Sequence, residues 1–346
     1  MRFEYYHEGL ASVPKLSVDG TVEMAVHFSH WRGNLTPSEV RADTSTEIAL
    51  NLVASPRRDA LTEGIELVTN NHFDTDGVLS VWTVLKGAGA LALRDELVAA
   101  AEAGDFSEYT GARGVRTSLV IQGSDNPLPD GGVISPLARQ LNGGGQVDEA
   151  RAYALVLPEV ESVLTRADDY EPLWREGWAA IEAALESFAR GASRVEEDAA
   201  SSLSLVTLAP DLYGASGFKP TRHAAPYTAI SHHARGEVYL IAIPGAEGWS
   251  YRVDYPYYSW AETIVRPRVE RRDFAALVER LNELEQGAEA FWKTDESELT
   301  SAVKFTNAGG VLAASHLVPD EVASEVRAAL LVARGGAAVS SQPARA

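Results

Sequence analysis

The stretch Asn70-Asn71-His72-Phe73-Asp74-Thr75-Asp76-Gly77 puts two amides, an imidazole and two carboxylates at the junction between an apolar run, Ile65–Val68, and a second one starting at Val78. Side chains at alternate positions of an extended loop project to one side, so His72, Asp74 and Asp76 offer one nitrogen and two oxygen donors to a common point. That donor set suits a hard divalent ion such as Mn²⁺ or Mg²⁺, and iron is also compatible with it. Gly77 lets the backbone turn into a helix whose amino end favours a bound anion. The chemistry implied is divalent metal plus a small anionic substrate, with Asn71 and Ser80 as further contacts to that substrate.

Spacing removes one rival. A calcium loop with its glycine at the sixth position would begin at His72 and end at Thr83, so it lacks both the first Asp and the terminal bidentate Glu. Other residues are candidates to complete the metal set. His30, in Ser29-His30-Trp31-Arg32-Gly33-Asn34, is flanked by polar residues and glycine, whereas His27, three residues earlier on a strand, faces the other way. Asp43 and Glu47 are four apart, which on a helix puts both carboxylates on one face. His232 and His233 are adjacent, so on a strand only one of them points into a given site. His223 is a weaker addition. Arg266 and Arg268 lie in the most concentrated basic stretch of an acidic chain, and a guanidinium reads phosphate or carboxylate bidentately, so they are candidate substrate contacts.

The string Phe73-Asp74-Thr75-Asp76-Gly77 resembles the first motif of the haloacid dehalogenase superfamily, which would make Asp74 a nucleophile and Asp76 an acid/base. The longer string is more similar to the DHH phosphoesterase superfamily, whose first motif is a strand followed by His-x-Asp-x-Asp-Gly and a small residue on the next helix. His72, Asp74, Asp76, Gly77 and Ser80 match that pattern one by one. The nearest string to the family's Asp-His-His is Ser231-His232-His233. The resemblance implies a manganese- or magnesium-dependent phosphoester or phosphoanhydride hydrolase with His72, Asp74 and Asp76 at its centre. A decayed fold kept as a binding or scaffold protein, or an iron-dependent oxygen-using enzyme, is the alternative to such a hydrolase.

The elements that must hold these residues follow from periodicity. Thr21–Phe28 and Ile65–Thr69 read as strands, and Asp43–Glu47 before Ile48–Val53 reads as a helix start. Helices are expected at Val78–Leu85 and Leu91–Ala103, and a strand at Thr117–Gln122. Residues 123–137 and Leu141–Gln146 are rich in turn formers. Val147–Glu197 is mainly helical, with Trp174, Trp178, Ile181, Leu185 and Phe188 at helical spacing. Short strands are expected at Ser202–Leu208, Tyr227–Ser231, Val238–Pro244 and Trp249–Tyr255, and helices at Asp273–Gln286 and Pro319–Val332.

These elements predict an α/β protein: a Rossmann-like half with a partly parallel sheet over residues 1–145 carrying the site, a helical segment 146–200, a smaller α+β part 201–334, and a disordered tail 335–346. The 346 residues carry a net charge of −19 and no cysteine. The absence of thiols excludes disulfides, thiolate nucleophiles, zinc ribbons and iron–sulfur clusters. The negative field argues against generic nucleic-acid or anionic-membrane binding. No apolar run reaches the roughly 18 residues of a membrane span, and the amino-terminal Met1–Leu10 has no basic-then-apolar leader pattern, so a cytoplasmic location is expected.

Overall fold

The computed structural model describes residues 1–123, 137, 148–210, 212, 227–285, 289–295 and 300–339, with side chains to 332. The chain is α/β and divides into two compact units: Met1–Ile181 with Trp260–Arg268, and Glu182–Ser259 with Val269–Ala346. The division falls at Ile181/Glu182, within a helix, and the later segment Trp260–Arg268 returns to the first unit. The sequence expectation had placed breaks near 145 and 200. Residues 124–136, the Leu141–Gln146 breaker and His223 lie outside the described residues. The expected tail from 335 is helical as far as Val339, and 340–346 lie outside the description.

The first unit is built on a four-stranded, wholly parallel sheet: β1 (Arg2–Phe3), β2 (Lys15–Val18), β3 (Val26–Phe28) and β4 (Leu67–Thr69), in spatial order β1-β4-β2-β3. Both faces of such a sheet are covered, which accounts for the complete burial of Leu16, Val18, Phe28 and Val68. Only residues 19–25 join the parallel strands β2 and β3, and this tight crossover is secured by the buried Lys15. Its Nζ donates to the carbonyls of Leu10, Ala11, Val13 and Met24 at 3.0–3.3 Å, so the buried ammonium is satisfied without a counter-ion.

Helices α1 (Ser45–Ala54), α2 (Arg58–Leu61), α3 (Thr75–Lys86), α4 (Arg94–Asp105) and α5 (Ala112–Ile121) pack in this unit, followed by α6 (Glu149–Val156), α7 (Val160–Thr165) and α8 (Glu171–Ala189). The expected helix start at Asp43–Glu47 is present: Thr44 is the N-cap of α1, and its Oγ1 accepts from the Glu47 amide at 3.2 Å. Thr117–Gln122, expected as a strand, is instead the second half of α5 with Gln122 as its C-cap. A short apolar run fits either period, and in the helix Arg116 lies with its guanidinium over the rings of Trp174 and Trp178 on α8. Among the described residues, one stretch, Thr75–Asp105, has an apolar window long enough to cross a membrane, and 56% of that window is buried within the protein.

The second unit holds a six-stranded sheet, β5 (Arg194–Asp198), β6 (Leu203–Thr207), β7 (Val238–Gly245), β8 (Gly248–Asp254), β9 (Ala290–Thr294) and β10 (Ser301–Asn307), in order β5-β6-β7-β8-β10-β9. Only β6 and β7 run parallel, joined across α9 (Tyr227–His233). Leu205, Leu240, Val253 and Val303 face α10 (Ala275–Leu284) and α11 (Pro319–Val339), while Val206, Ile241 and Ile243 face Ile230 of α9 and Phe188. Tyr227–Ser231, expected as a strand, is thus the crossover helix between parallel strands. Strands β5, β9 and β10 were not expected. Two of them are sheet edges whose charged or exposed residues (Arg194, Glu196 and Glu197; Phe291) break the apolar alternation.

Candidate metal centre

Where β4 ends, its backbone continues into Asn70. The Asn70 side chain is wholly buried and works in three directions: Oδ1 accepts from the amides of Gly20 at 3.1 Å and Asn71 at 2.7 Å, while Nδ2 donates to the Tyr153 hydroxyl of α6 at 2.9 Å. This ties the end of β4 to the end of β2. His72 follows, then Asp74 as N-cap of α3, with Oδ1 accepting from the Gly77 amide at 2.7 Å. Gly77 is needed for close approach: a Cβ there would lie 2.4 Å from Asn70 Nδ2, 2.7 Å from Tyr153 Oη and 3.0 Å from Asp19 Oδ2.

Asp76, in the first turn of α3, points away from its own helix end to that of α1. Its two oxygens accept from the amides of Ser45 and Thr46, each at 2.7 Å. The carboxylate thereby serves amides that the first turn of a helix leaves without intrahelical partners, and it meets the positive end of the dipole.

The carboxyl ends of β2, β3 and β4 converge here, the place where open parallel sheets bind ligands. Asp19, directly after β2, adopts φ +61° and is fully buried. His30 comes two residues after β3, and Asp105 closes α4. His30 Nε2 lies 3.1 Å from Asp105 Oδ2, 3.5 Å from Asp19 Oδ1 and 3.8 Å from Asp76 Oδ2. On the other side of the Asp19 carboxylate, His72 Nε2 is 2.7 Å from Asp19 Oδ2 and 3.0 Å from Asp74 Oδ2. Two groups with metal-ligand spacing result, Asp19/His30/Asp76/Asp105 and Asp19/His72/Asp74, and Asp19 is common to both.

Asp19 Oδ2, His30 Nε2 and His72 Nε2 are buried without a hydrogen-bond partner, although each is within 3.1 Å of another polar atom. Nδ1 is the donor of each ring, His30 to the Asp43 carbonyl at 2.6 Å and His72 to Asn71 Oδ1 at 3.1 Å, so the neutral form of either ring carries its lone pair on Nε2. Each Nε2 is then an acceptor facing carboxylate acceptors, a juxtaposition that a proton or a cation between them satisfies, and the ligand atoms of each group lie within 4.8 Å of one another. A second acceptor behind the ring is the usual support of a metal-ligating histidine.

Four carboxylates, Asp19, Asp74, Asp76 and Asp105, meet with no lysine or arginine pairing any of them among the described residues. Without a cation the site draws protons. Burial alone would push both histidines down, but the carboxylates of Asp105 and Asp19 raise His30 well above its usual value. Those of Asp74 and Asp19 carry His72 up to about 12 against the same burial. Burial and then the Asp19 charge push Asp76 up to about 7, and burial followed by Asp74 and Asp76 raises Asp105 well above the carboxylate range. Asp19 goes the other way: burial opposes its charge, but the His72 and His30 rings outweigh burial and hold it low. A divalent cation would replace those protons.

Aromatic rings wall the group. Trp260 stands edge-on to His30 at 5.0 Å, Phe106 lies 5.7 Å from it, and Trp31 lies 5.1 Å from His72. His72 and Asp74 retain 23% and 22% of their side-chain exposure while the other four members keep 5% or less, so the approach from solvent is at His72 and Asp74.

Of the residues expected from sequence, His30, His72, Asp74 and Asp76 come together, and Asn71 supports His72. Asp43 does not join as a ligand. Its carboxylate accepts from the amides of Ile264, Val265 and Arg266 and from Arg266 Nη1, which outweigh burial and hold its pKa low, while its carbonyl orients His30. Arg266 is an internal clamp on Asp43, Glu102 and Glu108 and not an exposed anion contact. Ser80 is buried and donates to the Gly77 carbonyl. His232 and His233 belong to the second unit, at the end of α9, where His233 stacks on Phe188. Every member of the two ligand-spaced groups comes from the first unit. Asp19 and Asp105 were not foreseen. Asp19 sits in Ser17-Val18-Asp19-Gly20, which after the apolar Leu16 resembles a turn, and Asp105 reads as one more acid at a helix end.

Fold and site together define an α/β protein with a buried histidine–aspartate cluster at the carboxyl edge of a parallel sheet. Residues 2–336 match the model of the family of unknown function DUF6687, and the chain belongs to that family. No curated protein and no solved structure matches the chain significantly.

Proposed function

We propose that the protein is a divalent-metal-dependent hydrolase acting on a small phosphorylated or otherwise anionic substrate. The observation that carries this reading is the gathering of buried Nε2 and carboxylate oxygen atoms on either side of Asp19, inside a group of four carboxylates that no lysine or arginine pairs among the described residues. Oxygen and imidazole donors without sulfur suit Mn²⁺ or Mg²⁺, with iron compatible. Bound ions would supply a water acidic enough to be a nucleophile near neutral pH and would draw charge from the attacked centre.

The chain's own residues provide the rest. Asp43 and Asn71 hold the two rings in their ligating tautomer, Gly77 and Ser45/Thr46 hold the carboxylates of Asp74 and Asp76, and Trp31, Trp260 and Phe106 limit water around them. The match of His72-x-Asp74-x-Asp76-Gly77 to the first DHH motif supports a phosphoester or phosphoanhydride as the bond cleaved. The test is release of phosphate from pyrophosphate and of nitrophenol from bis-(p-nitrophenyl) phosphate by Mn²⁺-loaded protein. The expected result is turnover abolished by EDTA and by Asp74→Asn. Turnover indifferent to both, or no turnover with any phosphate ester or anhydride, overturns the reading.

One observation favours a second reading, a non-catalytic binding protein. Asp74 and Asp76 are both engaged at helix ends, Asp76 through both of its oxygens, as structural caps would be. A scaffold of this kind keeps its ligand affinity in the Asp74→Asn/Asp76→Asn double variant, whereas a metallohydrolase loses metal and turnover together.

A further inference from the structure

Next to the metal group, on the loop that carries His30, lies a cavity of about 320 Å³ that the proposed reaction does not use. Four consecutive residues divide between the two places. Ser29 and Arg32 line the cavity, while His30 turns into the carboxylate cluster and Trp31 packs on His72. Arg41 and Arg268 also line the cavity, together with the apolar Ala42 and Ile48.

Charge in this cavity runs against that of the molecule. The chain carries −19 overall, yet three arginines meet here against one acid, Glu262. The Glu262 carboxylate accepts from the Gly33 amide at 3.0 Å and from Asn34 Nδ2 at 2.9 Å, which fixes the wall. Among the described residues Arg41 makes one polar contact, from Nε to the Thr36 carbonyl at 3.1 Å, which leaves its terminal nitrogens for a ligand. Arg41 and Arg268 alone bring two positive charges to the cavity, matching the charge of a phosphate monoester near neutral pH. Guanidinium forks match phosphate oxygens bidentately.

The geometry points to this cavity as an anion subsite that receives a phosphate group of the ligand. Its role as a substrate subsite rests on the hydrolase reading above. With the shared Ser29–Arg32 loop, a substrate carrying two anionic groups would present one to the metal cluster and seat the other between Arg41 and Arg268. Arg268 thus keeps the anion-binding role that its sequence position suggests, while Arg266 does not.

The test uses EDTA-treated full-length protein titrated with inorganic phosphate at pH 8 and low salt by calorimetry, with succinate as the carboxylate control. Metal content after Mn²⁺ exposure is measured in parallel. Saturable phosphate binding is expected, weakened about tenfold or more in Arg41→Gln/Arg268→Gln, with Mn²⁺ content unchanged, because phosphate hydrogen bonds to charged donors are among the stronger ones. Arg41→Lys/Arg268→Lys, which keeps charge but loses the fork, should fall between the two. Absent phosphate binding, equal binding by wild type and the Gln variant, or equal binding of succinate overturns the subsite. Arginine-dependent phosphate binding in a protein that takes up no metal supports the subsite and removes the hydrolase reading instead.

Discussion

Asp19 is the residue on which the account turns, because its two oxygens face different histidines: Oδ1 is 3.5 Å from His30 and Oδ2 is 2.7 Å from His72. Asp19→Asn removes the charge shared by both groups and should abolish metal uptake at both, whereas Asp105→Asn, which touches only the His30 group, should spare the other. Titration with Mn²⁺ separates the two outcomes. Asn71→Ala leaves every ligand in place but removes the acceptor behind His72. Outer partners of this kind change metal affinity by about 10- to 100-fold, so Mn²⁺ binding should weaken by that amount with little loss of fold stability.

The same residues set a pH dependence. Asp76, pushed up to about 7, and His72, pushed up to about 12, are both raised above their unfolded values of about 3.9 and 6.5. Each therefore stabilises the metal-free protein fully below its unfolded value and loses that contribution as pH climbs through the folded one. Asp19, held low, is ionised in both states above about pH 5 and drops out of the comparison. Metal-free protein should lose thermal stability steadily from pH 5 to pH 9, and Mn²⁺, competing with those protons, should raise Tm more at pH 8 than at pH 6. An equal Mn²⁺ effect at both values would contradict the proton competition.

At the scale of elements, the site depends on helix starts and on one returning segment. Gly77→Ala would normally favour a helix, but its Cβ would meet Asn70, Tyr153 and Asp19, so the overpacking penalty of about 1–3 kcal/mol should win and destabilise the protein. Denaturant unfolding of the variant checks the sign. Within Trp260–Arg268, Trp260 covers His30, the Glu262 amide donates to the His30 carbonyl at 2.7 Å, and Arg266 joins Asp43, Glu102 and Glu108. Arg266→Ala leaves three half-buried or buried carboxylates without their cation and should cost about 3–5 kcal/mol, the range for breaking such a buried network. A loss below about 1 kcal/mol, the size of a surface pair, would show that the network is worth no more than exposed ion pairs are.

Which elements were legible depended on how local their signals were. β4 and α3, with His72, Asp74 and Asp76 between them, are consecutive in sequence, so one pattern revealed strand, loop and helix together. Asp19 and Asp105 reach the site only through the order of the strands and the packing of α4, and nothing in Val18-Asp19-Gly20 or Gly104-Asp105-Phe106 distinguishes a ligand from a turn or a helix end. Arg266 and Asp43 were misread for a related reason. Isolated polar residues look available in sequence, and only their pairing across more than 200 residues shows that they satisfy each other.

For the whole molecule, 49 acidic residues against 30 basic ones make cation binding favourable anywhere and specific nowhere. Specificity has to come from burial. Asp19, His30 and Asp76 are fully enclosed, as surface acids that merely attract counter-ions are not. The second unit contributes none of these ligands; its sheet has one core against α10 and α11 and another against α9, and its His233 stacks on Phe188 within it.

The most direct test of the central claim is metal content by plasma mass spectrometry on untagged wild-type protein and on Asp19→Asn, each exposed to Mn²⁺ and then dialysed. The account predicts one ion for each of the two ligand-spaced groups in wild type, and none in Asp19→Asn at an unchanged circular dichroism spectrum. Wild-type protein that remains metal-free after this treatment, or an Asp19→Asn protein that keeps its full complement, would contradict it.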